Sequence, residues 1–162
     1  MTAQIIQIGN RFYRIYGEGN AEYLLLQMTD EHELQSMGSE VAAIAQDTSQ
    51  FLFAAVPVMN WNDELSPWKS PAVWGKQGFG GNPMGTLRFL TEQVVPTLKR
   101  QFNLPEDVKI IPGGYSLVGL FALWVSTQTN LFYGIAAASP SVWFRDGWSL
   151  NNNTRFRRST SI

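Results

Sequence analysis

The sequence predicts an α/β domain built on a mostly parallel sheet with helices on both faces. Two observations carry this prediction. Apolar runs without alternation, such as FLFAAVPV at 51–58, are typical of strands buried on both faces, as in parallel sheets. These runs alternate along the chain with stretches in which apolar residues recur every three or four positions, which is the spacing of a helix.

The first predicted elements are a hairpin, a strand and a helix. IIQI and RFYRIY flank a Gly-Asn turn, which predicts the hairpin. The apolar run at 22–28 has the length of a strand. Asp30 then suits a helix start, with Glu33 three residues later as its capping partner. A helix over 31–46 follows, and its buried face is formed by Leu34, Met37, Val41 and Ile44.

The middle of the chain predicts a buried strand, a long loop and a second helix. The loop at 59–82 follows the strand at 51–58 and contains three Trp, two Pro and four Gly. Loops of this length in compact domains are usually functional. The second helix begins at Pro83, since proline suits the first turn, and Pro96 is expected to kink it. Its apolar face comprises Leu87, Leu90, Val94, Leu98 and Phe102.

The last predicted elements surround a serine. A strand at 107–113 leads through a Gly-rich turn into a helix over 117–127, and a further strand follows at 131–138. Beyond these elements the sequence becomes polar and loses its periodicity. We expect residues 1–148 to form the packed domain and residues 149–162 to form a disordered polar tail.

Length and composition exclude several classes of function. With 162 residues, 44% of them hydrophobic and 15% charged, the chain is a packed single domain. The net charge of −1 argues against nucleic-acid and anionic-membrane partners, because both require a basic surface. The sequence has no cysteine, no metal-ligand spacing and no phosphate-binding glycine motif, so we expect neither metal nor cofactor. It shows no signal peptide or membrane-spanning run, and we expect a cytoplasmic protein.

Ser116 is the strongest candidate functional residue. A strand, a Gly-rich turn, a serine and a helix in immediate succession form a nucleophile elbow, which exposes the serine hydroxyl beside a helix N-terminus. The same pattern is also typical of a serine that merely caps a helix after a strand. The motif GGYSL alone leaves both interpretations open.

Three separate segments together resemble one family. NWNDELSPW at 60–68, GGYSLVGLFALW at 113–124 and AAASPSVWF at 136–144 are similar to the esterase D-like branch of the α/β-hydrolases, serine esterases that include siderophore esterases and S-formylglutathione hydrolases. The resemblance extends from about residue 20 to Trp148. It implies a partial α/β-hydrolase fold with its C-terminal strands missing, and hydrolysis of carboxylic esters through an acyl-serine.

The resemblance also implies roles for individual residues. Ser116 matches the nucleophile, and the amide of Leu117 matches one oxyanion donor. The second donor amide would come from Met28 or Thr29. Further residues lie in segments expected to surround the substrate: Trp61, Trp68, Tyr115, Ser139, Ser141 and Trp143. For each tryptophan, packing in the core is the alternative, and we favour it.

The chain departs from the family pattern in two places. Val118 stands where the family usually has Gly or Ala, so we expect strain at the elbow without loss of the fold. The triad of this fold runs in the order Ser, acid, His. After Ser116, however, Asp146 is the only acidic residue and no histidine follows. His32, the single histidine, precedes the serine, and an exposed helix position explains it better than a role as base.

Three hypotheses for the function follow. The favoured one is a serine esterase-type hydrolase that keeps its nucleophile but lacks acid and base, and is therefore inactive, after truncation or a frameshift near Trp148. The alternative is a non-catalytic module that binds a small acylated ligand at the aromatic loop. The third is an enzyme completed by another chain. We expect a small-molecule ester as substrate or ligand, and self-association through the open edge of the strand at 131–138.

Overall fold

A six-stranded sheet forms the centre of the computed structural model, which describes residues 2–73 and 75–143. The order of the strands across the sheet is β1-β2-β4-β3-β7-β8. A separate ribbon of two short strands, β5 and β6, lies within the long loop. The strands are β1 (Gln4–Ile8), β2 (Arg11–Gly17), β3 (Tyr23–Thr29), β4 (Phe51–Pro57), β5 (Lys69–Ser70), β6 (Phe79–Gly80), β7 (Lys109–Tyr115) and β8 (Ala136–Ala138).

Helices lie on both faces of this sheet, as predicted. Helices α3 and α4 are joined by a π-helical turn at Leu90–Val94. The helices are α1 (Met37–Asp47), α2 (Trp61–Glu64), α3 (Pro83–Phe89), α4 (Val95–Gln101) and α5 (Ser116–Gln128).

The sheet is parallel from β4 to β8 and antiparallel at its other end. β3 pairs in parallel with β4 on one side and β7 on the other, and β7 pairs in parallel with β8. The hairpin of β1 and β2 joins β4 in the antiparallel sense. The predicted α/β class with a mostly parallel sheet is therefore confirmed.

The central strand β4 shows why its sequence has no alternation. Every residue from Phe51 to Val56 is buried, since both faces of the strand are covered. Leu52, Ala54 and Val56 belong to the larger core, which also takes in residues of α3, α4 and α5. Phe51, Phe53 and Ala55 face the smaller core, to which α1 contributes Met37 and Val41.

The bounds of several helices and strands differ from the predicted ones, because local hydrogen bonds determine where each element begins and ends. The helix expected at 31–46 is a 3-10 turn at Glu33–Gln35 followed by α1, and Asp30 Oδ1 caps the turn by accepting the Glu33 N–H at 2.8 Å. The strand expected at 131–138 is limited to β8. A π-helical turn ends just before α4, and Pro96, which has no N–H to donate to the preceding turn, lies in the first turn of α4. The kink at Pro96 stays a prediction.

Within the described residues, no helix is both long and apolar enough to cross a membrane. The expected domain boundary at 148/149 lies outside the described residues.

Candidate functional site

Ser116 occupies a strained turn between β7 and α5. The strand ends at Tyr115 and the helix begins at Ser116, with no loop residue between them. Ser116 has φ +56°, in the left-handed region that non-glycine residues rarely adopt. Strain of this kind costs about 1–3 kcal/mol and persists only where the surroundings enforce it. The backbone therefore has the conformation of a nucleophile elbow.

Close packing of three residues enforces this turn. Gly114 has φ +150°, and a Cβ at this position would lie 2.8 Å from Val118 Cβ, so the valine side chain fits only because residue 114 has none. A Cβ at Gly119 would lie 3.0 Å from the Gly114 carbonyl oxygen and 3.2 Å from that of Ala138. At Gly119, α5 therefore lies close to the backbone of β7 and β8. Val118 is accommodated, and the elbow keeps its left-handed residue.

The hydroxyl of Ser116 is hydrogen-bonded to the hydroxyl of Ser141, with 2.9 Å between the two oxygens. The backbone N–H of Ser141 also donates to the carbonyl of Ser116 at 3.0 Å. Ser141 is only 3% exposed. Ser139, with φ +41°, turns the chain after β8 so that residue 141 reaches the elbow. Two hydrogen bonds therefore fasten this segment to the candidate nucleophile.

The Leu117 amide, one of the two predicted oxyanion donors, lies at the start of α5 directly after Ser116. Leu117 is the second residue of α5, so its N–H is among the first amides of the helix, which have no intrahelical acceptor and lie at the positive end of the helix dipole. An anion formed next to Ser116 would be stabilised there.

The other proposed donor lies one strand away. β3 pairs with β7 as far as Gln27 and Gly113, and continuing this register places Met28 and Thr29 level with Gly114 and Tyr115. Both residues are fully buried, and the Thr29 carbonyl accepts the Val58 N–H at 3.0 Å. The second donor remains a prediction.

The residues expected to line the substrate pocket fall into two groups. Tyr115 is adjacent to Ser116 in sequence and 66% exposed, while Ser139 and Trp143 are exposed in the segment that Ser141 ties to the elbow. Trp61 and Trp68 are half-buried and pack against the larger core, which agrees with the packing interpretation. A role of these residues in binding substrate remains a prediction.

No base has been brought to Ser116 within the described residues. His32 is exposed and lines a hollow with Thr29, Pro57 and Val58, and no residue of the elbow lines that hollow. Asp146 lies outside the described residues. In the part of the chain that the structure describes, no group of three or more His, Cys, Asp or Glu residues is placed to hold a metal ion.

The Ser116–Ser141 hydrogen bond is the feature that sequence reasoning missed. The Ser-Pro-Ser segment is recognisable in the sequence, but its contact with the elbow depends on the pairing of β7 with β8, in which Tyr115 lies opposite Ala138. A correct register for that pair of strands would have placed residue 141 beside residue 116.

Comparison with solved structures shows which fold this is. The chain is similar to the siderophore hydrolase EstA from Aspergillus nidulans, with 18% identity and a TM-score of 0.66 over 93% of this chain and 61% of that one. It is also similar to the enterobactin hydrolase IroE in complex with DFP, with 17% identity and a TM-score of 0.63 over 93% of this chain and 67% of that one. The BES protein from Bacillus cereus gives 17% identity and a TM-score of 0.62 over 96% and 70%.

These likenesses establish a fold of the α/β-hydrolase type. The chain spans 61–70% of the length of these three proteins. No protein-family model and no curated protein matches it.

Proposed function

We propose that this chain carries the nucleophile and one oxyanion donor of a serine ester hydrolase, and that it turns over esters poorly by itself. The observation that carries the proposal is the left-handed φ of +56° at Ser116, where β7 meets α5. A serine that only capped the helix would have no need of this strain. The resemblance to esterase D-like enzymes and the shared fold support the same reaction class.

The chemistry expected at Ser116 is acyl transfer. The hydroxyl oxygen attacks the ester carbonyl carbon, and the Leu117 N–H stabilises the negative charge on the carbonyl oxygen. The C–O bond to the alcohol then breaks, the alcohol leaves with a proton, and water later hydrolyses the acyl-serine. The proton of Ser116 must pass to a base during the attack.

Ser141 does not supply that base. Its hydroxyl can orient Ser116 by hydrogen bonding, but an alcohol does not accept a proton at neutral pH. With no histidine after Ser116 in this sequence, we expect turnover to be lower than in a complete triad by about 10³-fold or more.

Labelling and turnover test this proposal separately. The full chain and Ser116→Ala are incubated with a fluorophosphonate probe, which bonds covalently to activated serines, and with a short aryl ester. We expect slow labelling that Ser116→Ala removes, and little turnover. Labelling equal in both proteins would refute Ser116 as the nucleophile. Rapid ester turnover by the full chain that Ser116→Ala abolishes would refute the expectation that the chain lacks a catalytic base.

The alternative, a non-catalytic module, predicts a different pattern. An acylated ligand would then quench tryptophan fluorescence in a saturable manner, while Ser116 reacted with the probe no faster than an ordinary serine. The same two proteins serve for this measurement.

A further inference from the structure

The interior strands β3 and β7 are buried on one face of the sheet and only half-buried on the other. On β3, Leu24 and Leu26 belong to the larger core and are fully buried, whereas Leu25 between them is half-buried. On β7, Ile110 and Ile111 differ in the same way. Both strands have a neighbour on each side, so their place in the sheet does not explain this exposure. Within the described residues, α1 packs on β4 on this face and leaves β3 and β7 partly open.

A hollow of about 340 Å³ lies over this open part of the sheet, beside α1. Pockets that bind small molecules have volumes of about 300–1,000 Å³ and combine an apolar lining with a few polar groups. The hollow has both features, and its polar side chains come from β3 and from the start of α1. The apolar side chains include Leu25, Ile44, Phe53, Ile111 and Val118, and the polar ones include Gln27, Glu33, Ser36 and Glu40.

The polar groups of the hollow offer acceptors more than donors. The Gln27 amide donates to Glu40 Oε2 at 3.1 Å, and the Ser36 hydroxyl donates to the Glu33 carbonyl at 3.1 Å, so each of these donors already has an acceptor. Glu40 is exposed, and a carboxylate accepts more hydrogen bonds than the one that Gln27 provides. No lysine, arginine or histidine of the described chain lines the hollow. The polar side of the hollow therefore suits an occupant with a positively charged N–H group.

Charge distinguishes between the possible occupants. A fatty acid, or any other anionic amphiphile, would bring a second carboxylate against Glu40, which is unfavourable. A second copy of this chain that docked through the same face would bring its own Glu40 there. An alkyl chain with an ammonium head has no such conflict. Its chain would cover the half-buried side chains of Leu25 and Ile111, and removing this apolar surface from water favours binding.

We propose that the hollow beside α1 is a binding site for a small cationic amphiphile, an alkyl chain that ends in an ammonium group. The alkyl chain lies against Leu25 and Ile111, and the ammonium group pairs with the exposed carboxylate of Glu40. Gly114 also lines the hollow, so the site adjoins the elbow from behind. This inference does not depend on any reaction at Ser116.

Three probes with the same alkyl chain length test the proposal. Octylammonium, octan-1-ol and octanoate differ in the charge of their head group, which is positive, neutral and negative at neutral pH. Calorimetric titration of the full chain measures the affinity for each probe below its micelle concentration. We expect octylammonium to bind at least fivefold more tightly than octan-1-ol, and octanoate to bind more weakly than octan-1-ol.

Two substitutions and their controls locate the site. Glu40→Gln removes the charge and should reduce the preference for octylammonium over octan-1-ol at least threefold. Glu106→Gln should leave the preference unchanged, because Glu106 is equally exposed and does not line the hollow. Ile44→Ala shortens the apolar lining and should weaken both probes at least twofold, whereas Leu131→Ala, outside the hollow, should not. Thermal unfolding shows that each variant is folded.

Three results would overturn the proposal. One is equal affinity for octylammonium and octanoate. Another is a preference for octylammonium that Glu40→Gln leaves intact, since the net charge of the chain would then account for it. The third is the absence of saturable binding, and light scattering would then show whether a second copy of the chain covers the hollow.

Discussion

The side chain of Val118 fills the space that a side chain at Gly114 would need. A Cβ at residue 114 would lie 2.8 Å from Val118 Cβ, a distance that real Cβ atoms do not adopt. The two residues flank Ser116, so the fit between them is a condition for the elbow itself.

Gly114→Ala should therefore destabilise the fold strongly. The new methyl group would clash with Val118 and would also stand on a backbone with φ +150°, so we expect a loss of more than about 2 kcal/mol in the free energy of unfolding. Gly85→Ala is the control, because nothing lies within 4 Å of a Cβ there and α3 should gain stability. Urea denaturation measures both. Equal effects at the two positions would contradict the packing argument.

Ser116 and Ser141 should be energetically coupled. Each single substitution to alanine removes the hydroxyl–hydroxyl bond, so the double substitution should cost less than the sum of the single ones by about 0.5–1.5 kcal/mol. Ser139→Ala with Ser116→Ala is the matched cycle, since Ser139 is exposed in the same segment. Unfolding of the six proteins gives both coupling energies. Additive costs for Ser116 and Ser141 would show that the bond contributes no stability.

Glu64 should anchor the start of the long loop. Its Oε1 accepts the backbone N–H groups of Met59 and Asn60, both at 2.8 Å, and its Oε2 accepts Arg11 at 3.1 Å. Because the pair is largely shielded from solvent, Glu64→Ala should lower the free energy of unfolding by about 2–3 kcal/mol.

Glu106→Ala provides the comparison for Glu64. The Glu106 carboxylate also pairs with a basic side chain, Lys99, but it is fully exposed, so its loss should have little effect on unfolding. A large effect at both positions would indicate that ion pairing in general, and not the buried geometry of Glu64, sets the stability.

The chain should self-associate through β8. In the described residues this strand pairs only with β7 and leaves its other edge open. Light scattering during gel filtration should show a mass that increases with concentration. Ala138→Lys should reduce the association, because a charge on an edge strand opposes pairing with another chain. A monodisperse monomer at all concentrations would contradict this expectation.

Elements with strong local signals were predictable from the sequence. The hairpin of β1 and β2 and the buried strand β4 follow from turn chemistry and from continuous apolar runs. The order of strand, serine and helix around Ser116 was predictable for the same reason, because β7, the turn and α5 are contiguous in sequence.

Features that depend on tertiary contacts were not predictable in this way. The strand expected at 131–138 shortens to Ala136–Ala138, since apolar composition alone does not show which residues find a pairing partner in β7. The bond between Ser116 and Ser141 joins residues 25 positions apart and needs the register of two strands. The hollow beside α1 that Leu25, Phe53 and Ile111 line depends on which helix covers which face of the sheet, and helical periodicity does not specify this.

The close packing around Gly114 and Gly119 affects what the glycines of this motif indicate about the evolution of such chains. Val118 requires a glycine at residue 114, and the close approach of neighbouring backbone favours one at residue 119, whatever Ser116 does. Selection for a stable fold alone would therefore retain the glycine framework of the motif after selection for chemistry had ceased. An intact elbow therefore indicates the kind of fold from which a chain descends. Whether such a chain is active depends on Ser116 and on the residues that would deprotonate it.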